Sequence, residues 1–289
     1  MNDQKVFFFA LLANVDDSIL KLKMKNGFKI KSLPLDKGSR IISSAVRIPV
    51  DNLNHWPHYS PVFSQKKIYF IDYDITLNPH QKDQEVHSSF AMDLYDSIYG
   101  LVTKNLKEFL QLLHLYKEGD IYSPFWIAYS VGYDDEIEVL LAGGGCSTYH
   151  HPEIFTLSDA EIEDAQKFLD STELSLKNEY LQLAHENFEE SYTVLNPSLS
   201  FLSLMIASEI LFNPGYGEIS YRISRNFAVL LGTSVEDARI VQKKIKVLYR
   251  KRSEVVHSGK SIFNAVSKPI IDRGHNMSKA IILYGITSN

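Results

Sequence analysis

The chain has 289 residues, of which 45% are hydrophobic and 22% are charged, and its formal net charge is −5. This composition is typical of a globular protein, the length favours two domains, and the negative charge argues against nucleic-acid binding by the surface as a whole. A negative net charge is still compatible with a local basic patch. Residues 241–260 contain seven lysines or arginines and a single acid, Glu254.

Two features of the sequence indicate the compartment. The single cysteine, Cys146, permits no disulfide within the chain, which is typical of a protein in a reducing cytosol. The apolar run at residues 6–12 is too short to cross a bilayer, and it lacks the basic flank and cleavage site of a signal peptide. We therefore expect a cytoplasmic protein without a membrane partner, in which this run forms a buried strand.

Residues 1–155 predict an N-terminal domain of mixed α and β structure. Runs rich in aromatic and β-branched residues predict strands at 5–12, 28–33, 40–50, 67–76 and 136–142. Apolar residues at helical spacing predict a helix from Ser88 to about Tyr116, which ends near Gly119. No residue cluster in this half points to a chemistry of its own, so we expect it to sense a trigger or to position a substrate.

Residues 156–289 predict a series of helices, so the fold class expected is α+β, with a mixed domain followed by an all-α domain. The first helix opens with a capping box, Ser158-x-x-Glu161, and the next carries Leu181 and Phe188. The third begins at Asn196-Pro197, where the asparagine is a suitable N-cap and the proline fits the first turn.

Two further helices complete the predicted domain. One runs from residue 218 to 231, with Gly232 as its C′ residue, and the last opens with a second capping box, Thr233-x-x-Glu236. Gly259 is the predicted end of the last helix. Its apolar stripe is spaced by four and three residues and consists of Val241, Ile245, Leu248, Arg252 and Val255.

Arg252 is the charged member of that stripe. An unpaired guanidinium is costly to bury, so Arg252 requires a carboxylate, an open groove or a subunit interface. A structural ion pair is one interpretation, and Glu209 is the candidate partner because it also lies in the apolar face of its helix.

His257 follows Arg252 by five residues, about 140° further around an ideal helix. Stabilisation of the helix C-terminus by a histidine and catalysis by the pair are both open interpretations. Chemically the pair suits RNA cleavage, because an imidazole can move a proton to or from a 2′-hydroxyl and a guanidinium offers forked donors to phosphate oxygens. Ser253 adds a hydroxyl beside this pair.

Residues 180–260 resemble the HEPN superfamily, and more closely its ApeA-like group. The segments that carry the resemblance are residues 187–192, 204–212, 218–232 and 248–257. Arg252 and His257 match the two defining positions of the Arg-x4-His signature, within the frame Tyr-x-x-Arg-Ser-x-x-Val-His. Ser253 stands where related sequences often have Asn, Asp or His, and Ser258 where they often have glycine.

The resemblance implies an all-α HEPN bundle that is usually a homodimer, with the Arg and His of both chains lining a cleft at the interface. It implies a metal-independent endoribonuclease, often in anti-phage abortive infection, whose partners are RNA and a phage-derived or defence-system trigger. His257 would be the acid or base and Arg252 would stabilise phosphate charge, with Ser253 and Glu209 in supporting positions. Arg250 and Lys251 would contact the RNA.

No metal or cofactor is expected. Cys146, His150 and His151 lie close together in the sequence but lack a fourth ligand at a spacing that suits zinc. The alternative to a nuclease is a catalytically inactive HEPN dimer that senses a nucleotide or RNA, or that binds a protein. In that alternative Arg252 and His257 hold the interface or grip a nucleotide.

Overall fold

The computed structural model describes residues 4–46, 66–77, 87–117, 119–131, 137–144, 154–174, 176, 178–194, 196–212 and 217–258. The chain divides into two compact units. The first contains residues 1–113, 119–147 and 151–171, and the second contains residues 114–118, 148–150 and 172–289. The architecture is α+β, with a sheet in the first unit and a run of helices in the second.

The described part of the first unit contains a five-stranded antiparallel sheet in the order β2-β3-β1-β4-β5. Its strands are β1 (Gln4–Leu12), β2 (Lys29–Pro34), β3 (Lys67–Leu77), β4 (Trp126–Val131) and β5 (Ile137–Gly143). The predicted strands that correspond to β1, β2, β3 and β5 are confirmed to within one residue at each end.

β1 is the central strand, in which Phe8 is opposite Tyr73 of β3 on one side and Ala128 of β4 on the other. Side chains on both of its faces are buried, which explains why its sequence is a continuous apolar run rather than an alternating one. Those exposed by 2% or less are Val6, Phe8, Phe9, Ala10, Leu11 and Leu12. The prediction of a buried strand is confirmed.

The strand expected at residues 40–50 is wrong, because α1 (Leu35–Val46) occupies its described part; residues 47–50 lie outside the described residues. The adjacent β-branched residues Ile41 and Ile42 suggested a strand, but the buried positions recur at helical spacing. Ile42 is fully buried, and a methyl group at Gly38 would overlap the side chain of Ile68. Close packing of α1 on β3 therefore overrides local β propensity.

The first unit also contains the helices α2 (His87–Tyr116) and α3 (Asp159–Ser171). The last three residues of α2, 114–116, belong to the second unit. The predicted capping box of α3 is confirmed: Glu161 Oε2 accepts from Ser158 N at 2.8 Å. The expected domain boundary at 155/156 precedes α3, whereas α3 groups with the first unit. Lys21 Nζ, 2.6 Å from Asp159 Oδ1, is one of the contacts that hold it there.

The second unit contains α4 (Glu179–Thr193), α5 (Pro197–Phe212), α6 (Ile219–Leu231) and α7 (Val235–Ser258). Apolar side chains of α5, α6 and α7 form one buried cluster, made of Phe201, Met205, Ile223, Phe227, Ile245 and Leu248. The predicted apolar stripe of α7 is thereby confirmed. None of the described helices has the length and apolarity needed to cross a membrane.

The start of α5 is as predicted, since Asn196 Oδ1 accepts from the backbone N–H groups of Ser198 and Leu199 at 2.9 and 3.4 Å. The capping of α7 is one residue later than predicted. Ser234 Oγ accepts from Asp237 N at 3.1 Å, because the helix begins at Val235. Gly259, the predicted end of α7, lies outside the described residues.

Gly232 follows α6 but is not the left-handed C′ residue that we expected. Its φ is −76°, and its N–H donates to Ala228 O. A Cβ at this position would lie 2.6 Å from Ala228 O and 2.7 Å from the Cβ of Ala238. Glycine is needed here for the close approach between the end of α6 and the start of α7, and not for a positive φ.

Candidate active site

An ion pair between Arg252 and Glu209 forms the centre of the candidate site. Arg252 Nε lies 3.2 Å from Glu209 Oε1, and Arg252 Nη2 lies 3.5 Å from Glu209 Oε2. The pair joins α7 to α5, and its side chains are only 24% and 21% exposed. The predicted partner of Arg252 is thus confirmed. A guanidinium has five N–H donors, so this carboxylate leaves donors for a further acceptor.

Tyr249 lies next to this pair. Its ring centroid is 5.9 Å from Arg252 Cζ, within the range of a cation–π contact. Burial raises the pKa of Tyr249, Glu209 raises it further and Arg252 opposes them. The phenol therefore stays protonated at neutral pH and can donate a hydrogen bond.

Burial also raises the pKa of Glu209, and this effect outweighs the attraction of Arg252, which lowers it. The folded protein therefore holds this proton more tightly than the unfolded chain does. Between the ordinary pKa of 4.5 and the raised value, unfolding releases the proton, so the free energy of unfolding falls as pH rises through that window.

We expect the substitution Glu209→Gln to remove this part of the pH dependence, because glutamine has a similar shape and does not titrate. The measurement is urea denaturation of both proteins at several pH values from about 4 to 7. The difference in stability, wild type minus variant, should decrease as pH rises. A constant difference across the series would show that Glu209 does not titrate in this way.

The structure places His257 in the last turn of α7, with its side chain exposed. By helix geometry it is about 140° around the axis from Arg252 and about 7.5 Å along it. Arg252 and Glu209 are thus brought together by the fold, whereas Arg252 and His257 share the end of one helix but not one face.

The remaining predicted site residues surround Arg252 on α7. Ser253 is partly buried. Lys251 Nζ lies 3.1 Å from Glu254 Oε2, and Arg250 Nε lies 3.9 Å from Glu254 Oε1. The two cations expected to contact RNA therefore share one carboxylate, and together they keep a net positive charge.

An open groove near this site was not predicted from the sequence. Its volume is about 890 Å³, and it is lined by Gly217, Glu218, Ile219, Ser220, Tyr221, Lys246 and Tyr249. Two of its lining residues, Tyr221 and Tyr249, lie in segments that resemble the HEPN superfamily. No sequence pattern indicates that these two tyrosines line the same groove, because the groove forms only when α6 packs against α7.

A second cluster of polar side chains lies inside the second unit. His114 Nδ1 is 3.1 Å from Glu189 Oε2, and His185 Nε2 is 3.9 Å from Glu189 Oε1. The His114 ring stacks on Tyr192 with centroids 4.0 Å apart. Both histidines are buried, so this cluster cannot contact a macromolecular substrate, and its contacts are those of a structural network.

Among the described residues, no group of three or more His, Cys, Asp or Glu side chains is arranged to hold a metal ion. Cys146, His150 and His151 lie outside the described residues. Comparisons of the chain with family models, with curated proteins and with solved structures found no match.

Proposed function

We propose that this chain is a metal-independent endoribonuclease of the HEPN type that acts as a cytoplasmic homodimer in anti-phage defence. The observation that carries the proposal is the position of Arg252. It is a guanidinium in an otherwise apolar stripe, oriented by Glu209, five residues before an exposed histidine. In this proposal the first unit senses a phage-derived or defence-system trigger, or positions the RNA.

The proposed reaction is an in-line displacement at phosphorus. His257 takes the proton of the 2′-hydroxyl, the 2′-oxygen forms a bond to phosphorus, and the bond from phosphorus to the 5′-oxygen breaks. His257 of the partner subunit delivers a proton to the departing 5′-oxygen. Arg252 donates to the non-bridging oxygens as their negative charge increases. The products are a 2′,3′-cyclic phosphate and a 5′-hydroxyl.

A second copy of the chain is proposed to pack on α5. The buried side of this helix contains apolar residues such as Phe201 and Met205. Its exposed side also contains apolar residues, since Leu199 is 52% exposed and Ile206 is 40% exposed. Ile206 precedes Glu209 by three residues, so the exposed apolar surface is continuous with the side of α5 that holds the ion pair. A dimer formed there would bring two copies of the site close together.

The test of this function is cleavage of a labelled, structured RNA by the purified chain in EDTA. We expect cleavage to persist in EDTA, to yield 2′,3′-cyclic phosphate ends, and to stop when a single 2′-deoxy nucleotide replaces the mapped cleavage position. Sedimentation of the same preparation should give a dimer. Cleavage of DNA at a comparable rate, or complete inhibition by EDTA, would contradict the proposal.

The ion pair also favours a second candidate function, a catalytically inactive dimer that senses a nucleotide or RNA or binds a protein. In this case Arg252 is a structural residue whose charge is satisfied by Glu209, and Lys251 and Arg250 are likewise engaged by Glu254. This function predicts no cleavage of any RNA together with a ligand-induced rise in melting temperature. It also predicts that replacing His257 weakens the fold or the dimer.

A further inference from the structure

The groove formed by α6 and α7 combines two aromatic rings with a cation. Tyr221 lies in the first turn of α6 and is 48% exposed, so one part of its ring is accessible from the groove. Lys246 of α7 has its Nζ 5.8 Å from the centre of the Tyr221 ring. Tyr249 follows Lys246 by three residues and lines the same groove.

Lys246 and the two tyrosine rings of the groove suit an anionic ligand that also has an apolar face. Within the described part of the chain, no carboxylate forms an ion pair with Lys246, and its ammonium group lies over the Tyr221 ring. At 5.8 Å this contact is close to the outer limit of a cation–π interaction, so the ammonium group can move to a phosphate at little cost. Glu218 is the acidic side chain in the lining, and it opposes an anion.

The groove lies next to the candidate active site, because Tyr249 belongs to both. Tyr249 lines the groove, and its ring lies 5.9 Å from Arg252 Cζ. A strand whose phosphate is held by Arg252 therefore has Tyr249 beside it and the Tyr221–Lys246 pair further along α7. Arg252, Tyr249 and Lys246 follow one another at three-residue intervals, about 4.5 Å apart along the axis of α7, so a ligand bound at Arg252 can extend towards Lys246.

We propose that the groove binds an unpaired nucleotide of single-stranded RNA that flanks the cleaved phosphate, with the base stacked on Tyr221 and the adjoining phosphate bound by Lys246. This inference rests on the proposed ribonuclease function and names the form of its substrate. Stacking on an exposed aromatic ring requires a base that is free of its own helix, so the groove selects unpaired regions over duplex RNA.

The test measures binding separately from cleavage. The full chain with His257→Ala, which keeps the probe intact, is titrated against a fluorescein-labelled ten-nucleotide oligoadenylate, and anisotropy is recorded. A ribose-phosphate chain of equal length without bases is the matched probe. Adding Tyr221→Ala should weaken oligoadenylate binding about 10-fold and leave binding of the abasic chain unchanged. Tyr221→Phe keeps the ring and should bind within about twofold of its parent.

Lys246→Ala should weaken binding of both probes and lower the salt dependence of binding by about one ion. Lys243→Ala is the control, because Lys243 is exposed on the same helix and does not line the groove. Glu218→Gln should tighten binding of both probes, since it removes the acid from the lining. Melting curves of each variant verify that it is folded.

The proposal is overturned if the parent protein does not bind oligoadenylate, if folded Tyr221→Ala binds it as tightly as the parent, or if Tyr221→Ala weakens both probes equally. These outcomes are separable from failure of the ribonuclease itself. A chain that never cleaves RNA but binds oligoadenylate through Tyr221 lacks the proposed activity and retains the groove. A chain that cleaves RNA without any dependence on Tyr221 retains the activity and lacks this subsite.

Discussion

His257→Ala is expected to lower the rate of RNA cleavage by about 10²–10⁴-fold, the usual contribution of a general acid or base. The free energy of unfolding should stay within about 0.5 kcal/mol of the wild-type value, because the side chain is exposed in the last turn of α7. The measurements are single-turnover cleavage of the labelled RNA in EDTA and urea denaturation of the same preparations.

The matched control for this variant is Val256→Ala. Val256 is the preceding residue in the same turn and is also exposed, so its truncation perturbs the end of α7 without removing a titratable group. Cleavage by Val256→Ala should remain within about threefold of wild type. If His257→Ala cleaves normally, or if it loses its dimeric state and its stability together, His257 is a structural residue and the catalytic assignment is wrong.

Arg252→Ala is expected to reduce both cleavage and stability. Loss of a donor to the developing phosphate charge should slow cleavage by about 10²–10³-fold. Stability should fall by about 1–3 kcal/mol, between the ranges for exposed and fully buried ion pairs, because the carboxylate of Glu209 loses its partner in a partly buried position. Arg252→Lys keeps the positive charge but lacks the paired N–H donors of a guanidinium. Compared with Arg252→Ala, it should therefore recover part of the stability and little of the cleavage rate.

A double-mutant cycle separates the two roles of Arg252. Glu209→Ala alone should destabilise the protein by a similar amount, and the double variant should be more stable than the sum of the single losses predicts, with a coupling energy of about 1–2 kcal/mol. Additive losses would show that the 3.2 Å contact contributes nothing to stability. Full cleavage by folded Arg252→Ala would remove Arg252 from the active site.

The parts of the fold that the sequence predicted are those in which local pattern and burial agree. The α7 stripe was identifiable because its apolar residues repeat with the period of a helix, and β1 was identifiable because its unbroken apolar run is long and rich in aromatic residues. The caps at Ser158 and Asn196 were identifiable because a side-chain acceptor near a helix start has a short-range use that does not depend on the rest of the fold.

The errors occurred where contacts between elements decide the structure. α1 contains a pair of adjacent isoleucines that favours a strand locally, and packing against Ile68 makes it a helix. β4 was missed because its apolar run, residues 126–129, is only four residues long and shows neither strand alternation nor helical spacing. Gly232 was assigned to a left-handed turn, whereas its role depends on the distance to Ala238, which is a tertiary contact.

The candidate site shows the same division. A charge within an apolar stripe identified Arg252, and the same reasoning identified Glu209, so their contact was predictable from two helical patterns. The groove was not, because Tyr221 and Lys246 lie on different helices and each is unremarkable on its own. These two side chains lie near each other only because α6 packs against α7.

The central position of β1 has a consequence for how the chain is made. β1 is synthesised well before its neighbours β3 and β4, since Phe8 pairs with Tyr73 and Ala128. Pairing over such separations is slow, and a nascent chain exposes its longest apolar run until residues near 131 have left the ribosome. Until β4 has been synthesised, β1 therefore has an unpaired edge, and exposed apolar strands of this kind favour aggregation.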